Sequence, residues 1–393
     1  MKFLIILLSI QVLAILSFAT KLLTQKFMVN ILRFSYAIFL LFSGFVKLID
    51  PLGFSYKLQE YFEVFGLNFL VPASLVLSVS IILFELFLGL FLFYGIHIRK
   101  VMWGNLLLMI FFTFLTFFSA YFNKVTDCGC FGDFMKLDPW TSFSKDIYLL
   151  FISLILFFTQ AKISLFLHRQ TVNRLLIIKG LILCLIPINA LSHLPFIDFR
   201  AYKVGVNINE DRKLPEDAKK DVYQDVWYYE IDGIVKEFET SDEPWKINGA
   251  IFKDRKTKLL IKGDEPKIHD FDIVDAVNDI EMTDSILSLD KVLLVVSYDI
   301  QKTDVQAHGV VDKFIANVLG PNLPVYGLSS SSTAEVKNKL SQSELLYPYF
   351  LVDQTTLKTM IRANPGVFLL SKGVVQEKWH WRDLPDNLDH ITN

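Results

Sequence analysis

The sequence predicts an α-helical membrane bundle of five or six transmembrane helices, followed by a soluble α/β domain with a small β region before it. Two observations carry this. Hydrophobic residues make up 52% of the 393, with 36 phenylalanines, and almost all of this excess lies before about residue 195. From about residue 290 the pattern alternates short apolar runs with helix-period stretches, the signature of a layered α/β fold. The net charge of −2 comes with no basic stripe, so nothing points to nucleic acid.

Apolar stretches approaching the roughly 20 residues that cross a bilayer occur at 3–22, 29–49, 70–96, 101–122, 144–160 and 173–194. The first admits two readings. Met1-Lys2, an apolar run and Ser17-Phe18-Ala19 resemble a signal peptide, but cleavage there would set the soluble domain inside against the basic-residue bias, so an uncleaved first helix or a start at Met28 is expected. Residues 1–28 are therefore set apart as an extra N-terminal helix, and the bundle is assigned to 29–195. Basic residues set the orientation. Lys21, Lys26 and Arg33, then Arg99 and Lys100, then Lys162, Arg169, Arg174 and Lys179 alternate so as to lie together in the cytoplasm. The loops at 50–69 and 123–143 then face outward, although they carry Lys57, Lys124 and Lys136. Everything after Leu194 faces outward as well. The expected location is a bacterial inner membrane, multi-pass, with the C-terminal domain in the periplasm.

The chemistry-bearing motif is Asp127-Cys128-Gly129-Cys130-Phe131-Gly132-Asp133, in an outward loop where disulfides form and persist. A disulfide between cysteines one residue apart closes a strained ring, which makes the bond an oxidant rather than a staple. Gly129 permits the dihedrals that ring needs. Asp127 and Asp133 oppose this, because their charges disfavour a thiolate. A packed reduced pair and a metal half-site are the alternatives, and the second lacks the further ligands a structural zinc wants. No metal is assigned. Cys184, in the last apolar run, is expected to be a small buried hydrophobe. Glu85, near the middle of an apolar helix, is a functional candidate by default, with Lys47 as its partner. Otherwise Lys47 snorkels and Glu85 is a neutral helix contact.

Three pieces of sequence carry a family resemblance: Phe42-Ser43-Gly44-Phe45-Val46-Lys47, Asp50-Pro51-Leu52-Gly53-Phe54, and the Cys128–Cys130 loop with its supporting Asp127, Gly129, Phe131, Gly132 and Asp133. Together they resemble the DoxX/MauE group of bacterial membrane proteins, in the version found in Bacteroidetes-type bacteria, over about residues 29–160. The resemblance implies a four-helix core and a redox-associated role. MauE proteins are linked to methylamine utilisation, where they assist disulfide formation. DoxX relatives are linked to terminal oxidase or thiosulfate–quinone chemistry. No bound cofactor is evident; a quinone is the one the resemblance allows, and a periplasmic thiol client or redox partner protein is the implied partner.

Residues 196–222 read as a linker and 223–289 as a small β-rich region. There a hairpin turns at Asp232-Gly233, and Ala250–Lys256 with Thr257–Lys262 form a second pair. Residues 290–393 resemble the thioredoxin fold in element order and in Pro365, which matches the proline before the third core strand. The Cys-x-x-Cys of that fold is missing from Asp299-Ile300-Gln301-Lys302-Thr303-Asp304. His269, His308, His380 and His390 lack ligand spacing and read as surface residues. The leading function is thiol–disulfide exchange through Cys128 and Cys130, coupled to a quinone or a partner oxidoreductase; as an enzyme it would be a membrane thiol–disulfide oxidoreductase. The alternative is a non-enzymatic membrane anchor or assembly factor presenting a redox-inactive thioredoxin-like module. A proton or small-molecule pathway around Glu85 is the third.

Overall fold

The computed structural model describes residues 2–125, 129–261, 263–318, 323–340 and 347–386. Packing divides the chain into two units. The first holds Met1–Arg200 with Ile361–Gly366 and Trp379–Asn393, and the second holds Ala201–Met360 with Val367–Lys378.

The first unit is helical: α1 (Lys2–Ala19), α2 (Gln25–Ile49), α3 (Pro51–Val64), α4 (Ser74–Tyr94), α5 (Ile98–Phe122), α6 (Pro139–Thr159) and α7 (Arg169–Ser192). Six spans are long and apolar enough to cross a membrane, all but α3 contributing. This is a multi-pass membrane protein. α2 begins at Gln25, where the Thr24 hydroxyl accepts the Phe27 amide at 3.4 Å. Met28 therefore sits inside its first turn. α1 packs on it, with Phe3 against Phe42 at 4.9 Å between ring centres and Leu4, Leu7 and Ala14 buried.

The stretch at 50–69, expected as a loop, contains α3. Its start is written locally: Pro51 occupies the first turn, where no amide is needed, and the Asp50 carboxylate accepts the Gly53 amide at 3.1 Å, a standard N-cap. Arg33, expected to mark the cytoplasmic side, is buried. It donates to the carbonyls of Leu92 and Phe93 at the end of α4 and of Ser164 beyond α6, at 2.8, 2.6 and 2.8 Å. Cys184 is exposed rather than buried. It lies among Leu181, Ile182, Leu185 and Ile188 on the uncovered face of α7, where lipid rather than protein is its apolar surrounding.

The second unit begins with residues expected to be a linker, but they are packed. Tyr202 and Ile208 are buried, the latter on the short α8 (Ile208–Asp211). The backbone here also hydrogen-bonds residues 373–375. β1 (Val222–Ile231), β2 (Ile234–Glu239) and β3 (Ile251–Ile261) form an antiparallel sheet in the order β2-β1-β3. The hairpin turns at Asp232 and Gly233, both at positive φ. β3 is one long strand, not two, because no turn residue interrupts Lys256-Thr257 and both pair with β1.

The larger sheet contains β4 (Val274–Asp275), β5 (Ile280–Glu281), β6 (Val292–Ser297), β7 (Val325–Ser329), β8 (Tyr349–Leu351), β9 (Gly366–Ser371) and β10 (Val374–His380), in the order β10-β9-β6-β7-β8-β4-β5. β6, β7 and β8 run parallel. Every residue of β6 is buried, as its unbroken apolar run requires. Helices α9 (Thr283–Leu287), α10 (Val305–Val318), α11 (Thr333–Lys339) and α12 (Gln354–Met360) connect the strands. A Ser332–Glu335 capping box starts α11.

His308 and His380, read from sequence as surface residues, are both buried. His308 lies on α10 with its Nε2 2.9 Å from the Ser297 hydroxyl. Burial pushes its pKa down to about 4, so it is neutral when folded and takes up a proton on unfolding below about 6.5. The unfolded chain then binds more protons, and stability falls as pH drops from about 6.5 toward 4. Thermal melts of the full chain should lose less stability across this window in His308→Gln than in wild type; identical pH slopes would contradict the assignment. In the bundle, a Cβ on Gly44 would lie 2.7 Å from Leu86 Cγ. Gly44→Val is expected to cost about 1–3 kcal/mol through overpacking, read as a lower midpoint in denaturant.

Candidate functional site

α2 builds the seat of the site. Phe39, Ser43 and Lys47 recur every four residues on its buried face, and Asp50 ends it. The Ser43 hydroxyl donates to the Cys130 carbonyl at 3.2 Å, which ties the loop to the helix. Phe131 is 1% exposed and wedges between aromatic rings, 5.9 Å from Phe39 and 6.2 Å from Phe42 between centres. The loop reverses at Gly129, whose φ is +63° and whose added Cβ would meet Lys57 Cγ at 3.0 Å. Cys130 is 6% exposed. Cys128 and Asp127 lie outside the described residues.

Beneath the loop lie two ion pairs in apolar surroundings. Lys47 on α2 pairs with Glu85 on α4, their side chains 1% and 3% exposed. The Lys47 ammonium also lies over the Phe112 ring at 4.9 Å. Lys145 on α6 binds its neighbour Asp146 at 2.6 Å and lies 5.1 Å over the Phe131 ring. A cavity of about 20 Å³ is bounded by Ser43, Lys47, Glu85, Cys130, Lys145 and Asp146, among others. It has room for about one water. Ammonium groups beside a sulfur stabilise the thiolate, and carboxylates nearby can hold a proton. Two ammonium groups, two carboxylates and Cys130 thus border one small cavity.

A second cluster holds the outer edge of the loop. Arg362, in the segment Ile361–Gly366 of the same unit, binds Asp50 at 2.8 Å and Asp133 at 2.9 Å and lies 5.4 Å over the Tyr56 ring. Gly53 makes room for it, since a Cβ there would stand 3.0 Å from the guanidinium. Burial pushes the Asp50 carboxyl up, but the Arg362 charge and hydrogen bonds outweigh this and hold it below its ordinary value. Burial likewise works against the Arg362 charge, and the two carboxylates more than offset it. Asp133, which the sequence sets against thiolate formation, is therefore partnered by a cation. Gly132, at positive φ, turns the chain between Phe131 and Asp133. Pro365 follows a cis peptide bond after Asn364.

Glu85 and Lys47 are brought together as the sequence anticipates. Lys145, Asp146 and Arg362 are not anticipated. The signal for the first two was present: Asp138-Pro139 is a helix start, with the Thr141 amide 2.9 Å from the Asp138 carboxylate. That start places Lys145 and Asp146 two turns inside α6 rather than at its end. Arg362 had no local signal, because its partners lie more than 200 residues away in sequence.

Residues 25–159 match the family model of Methylamine utilisation protein MauE, and this part of the chain is a MauE family domain. Among curated proteins and among solved structures, nothing matches the chain.

Removing one member of a buried pair strands the other. Lys47→Met or Glu85→Leu alone should cost about 3–5 kcal/mol, and the double variant much less than their sum. Unfolding of the detergent-solubilised chain in a double-mutant cycle measures this; additive losses would show that the pair is not coupled. The Asp50–Arg362 contact gives a pH signature. Because the Asp50 carboxyl sits low, its stabilisation is complete above about pH 4 and is lost as pH falls through its folded value. Arg362→Met should melt lower at pH 7 and lose this acid-sensitive increment.

Proposed function

We propose that the protein is a membrane accessory protein of thiol oxidation, with Cys128 and Cys130 cycling between disulfide and dithiol on the periplasmic face. With Cys130 buried, a client thiolate attacks Cys128 and forms a mixed disulfide. Cys130 leaves as a thiolate stabilised by the ammonium groups beneath it. A second client thiol resolves the mixed disulfide. The client gains a disulfide, and the pair keeps two electrons and two protons. A lipid-soluble quinone takes both and becomes a quinol, or a partner oxidoreductase does so by exchange. The observation that carries this reading is the cavity Cys130 shares with Lys47–Glu85 and Lys145–Asp146. Two buried acid–base pairs under an inert loop are not required for stability, since apolar residues of similar volume serve as well. The MauE match over residues 25–159 supports a membrane accessory role.

The burial of Cys130 favours a second reading, in which the loop is packing and the protein anchors a binding module. The strand order β8-β7-β6-β9-β10 and the place of Pro365 before β9 support a thioredoxin-like identity for that module.

Acid-quenched maleimide trapping in native membranes separates the two. The thiol reading expects both cysteines to be blocked until reductant is added, and Cys128→Ser with Cys130→Ser to leave periplasmic clients reduced. Full labelling without reductant, together with unchanged clients in the double variant, would favour the anchor.

A further inference from the structure

The helix faces that line the cavity beside Cys130 carry a second set of polar groups one level deeper. Tyr36 lies seven residues before Ser43 on α2, and Ser153 seven residues after Asp146 on α6, each roughly 10 Å along the helix axis. Asn105 lies one turn before the cavity-lining Met109 on α5. Tyr36, Asn105 and Ser153 are each 0% exposed, and Asp146 is 2% exposed. The Tyr36 hydroxyl lies within interaction range of the Ser153 and Asn105 side chains and in the field of Asp146 and Glu85. Yet among the described residues the Tyr36 hydroxyl, both amide atoms of Asn105, the Ser153 hydroxyl and Asp146 Oδ2 make no hydrogen bond of ordinary length and angle. Buried polar groups of native proteins are paired with protein or with water. Buried polar groups gathered from three separate helices without well-formed bonds to one another are ones that ordered water can complete.

We infer that Tyr36, Asn105 and Ser153 hold ordered water inside the bundle, and that this water joins Asp146 and Glu85 in a proton relay serving the Cys130 site. The inference rests on the thiol reading. Oxidising the dithiol pair releases two protons as two electrons pass to the quinone. Asp146 and Glu85 accept the protons at the cavity, with Lys47 and Lys145 balancing their charge, and the water passes both on to the quinone, which takes them up with the two electrons to become a quinol. Reduction runs the same path in reverse. Tyr36, Asn105 and Ser153 are positioning residues here: they hold water and touch no sulfur.

Two readouts on the full chain in lipid nanodiscs test this. Radiolytic hydroxyl footprinting labels side chains that touch bound water. After correction for intrinsic side-chain reactivity, Tyr36 should be labelled several-fold above the equally buried Leu149, and that excess should fall in Ser153→Ala and in Asn105→Leu. The rate at which dithiothreitol reduces the cysteine pair should drop about tenfold in the same variants, and the wild-type rate should slow at least twofold in D₂O. Ser153→Ala, which removes a single oxygen, keeps the test valid if Asn105→Leu misfolds. Tyr36 labelled no more than Leu149 overturns the inference, and so does an unchanged reduction rate in both variants. A wild-type chain with no reducible pair is a separate result on the same sample: it sinks the thiol reading, and the relay with it.

Discussion

Charge buried between membrane helices constrains everything around it. An isolated ammonium or carboxylate at the depth of Lys47 or Glu85 is strongly unfavourable; paired, each fixes the other. Lys47 sits on α2 and Glu85 on α4, so the pair sets the register of the two helices. Gly44, one turn before Lys47, then lets Leu86 close against α2. Ser43, beside Gly44, donates to the Cys130 carbonyl. The loop is thus seated on a helix whose position the ion pair has already determined.

The same economy holds at the outer edge. Asp50 closes α2, caps α3 through Gly53 and accepts Arg362. One carboxylate thereby terminates a helix, starts another and binds the guanidinium that also holds Asp133. The Phe42–Lys47 and Asp50–Phe54 motifs are two ends of one support for the cysteine loop. The ordinary loops of such a bundle need no support of this kind, and loops positioned by rigid helices are where function concentrates.

Much of this was legible in the sequence because it is local. Apolar runs of bilayer length, the Asp232-Gly233 turn and the Ser332–Glu335 cap each depend on neighbours within a few residues. The Lys47–Glu85 pair was legible for another reason: two intramembrane charges of opposite sign have few other solutions. What failed was nonlocal or masked by periodicity. α3 was read as a loop because its amphipathic pattern is weak, although Asp50-Pro51 announced it. Lys145-Asp146 was passed over because the apolar run was started too late. A buried imidazole and an exposed one look alike in sequence; the Ser297 hydroxyl beside His308 Nε2 lies on a different element. Arg362 and the Tyr36–Asn105–Ser153 cluster exist only once distant segments are packed together.

The central claim is that the loop is a two-electron redox centre poised by the charges beneath it. Equilibrium titration of the purified full chain in graded thiol–disulfide buffers, read by mass spectrometry of the Cys128–Cys130 peptide, tests it most directly. The account predicts a single reversible two-electron transition, oxidising relative to a structural disulfide, that moves when Lys145 is replaced by methionine. A peptide whose oxidation state ignores the buffer, or a midpoint indifferent to Lys145, would contradict it.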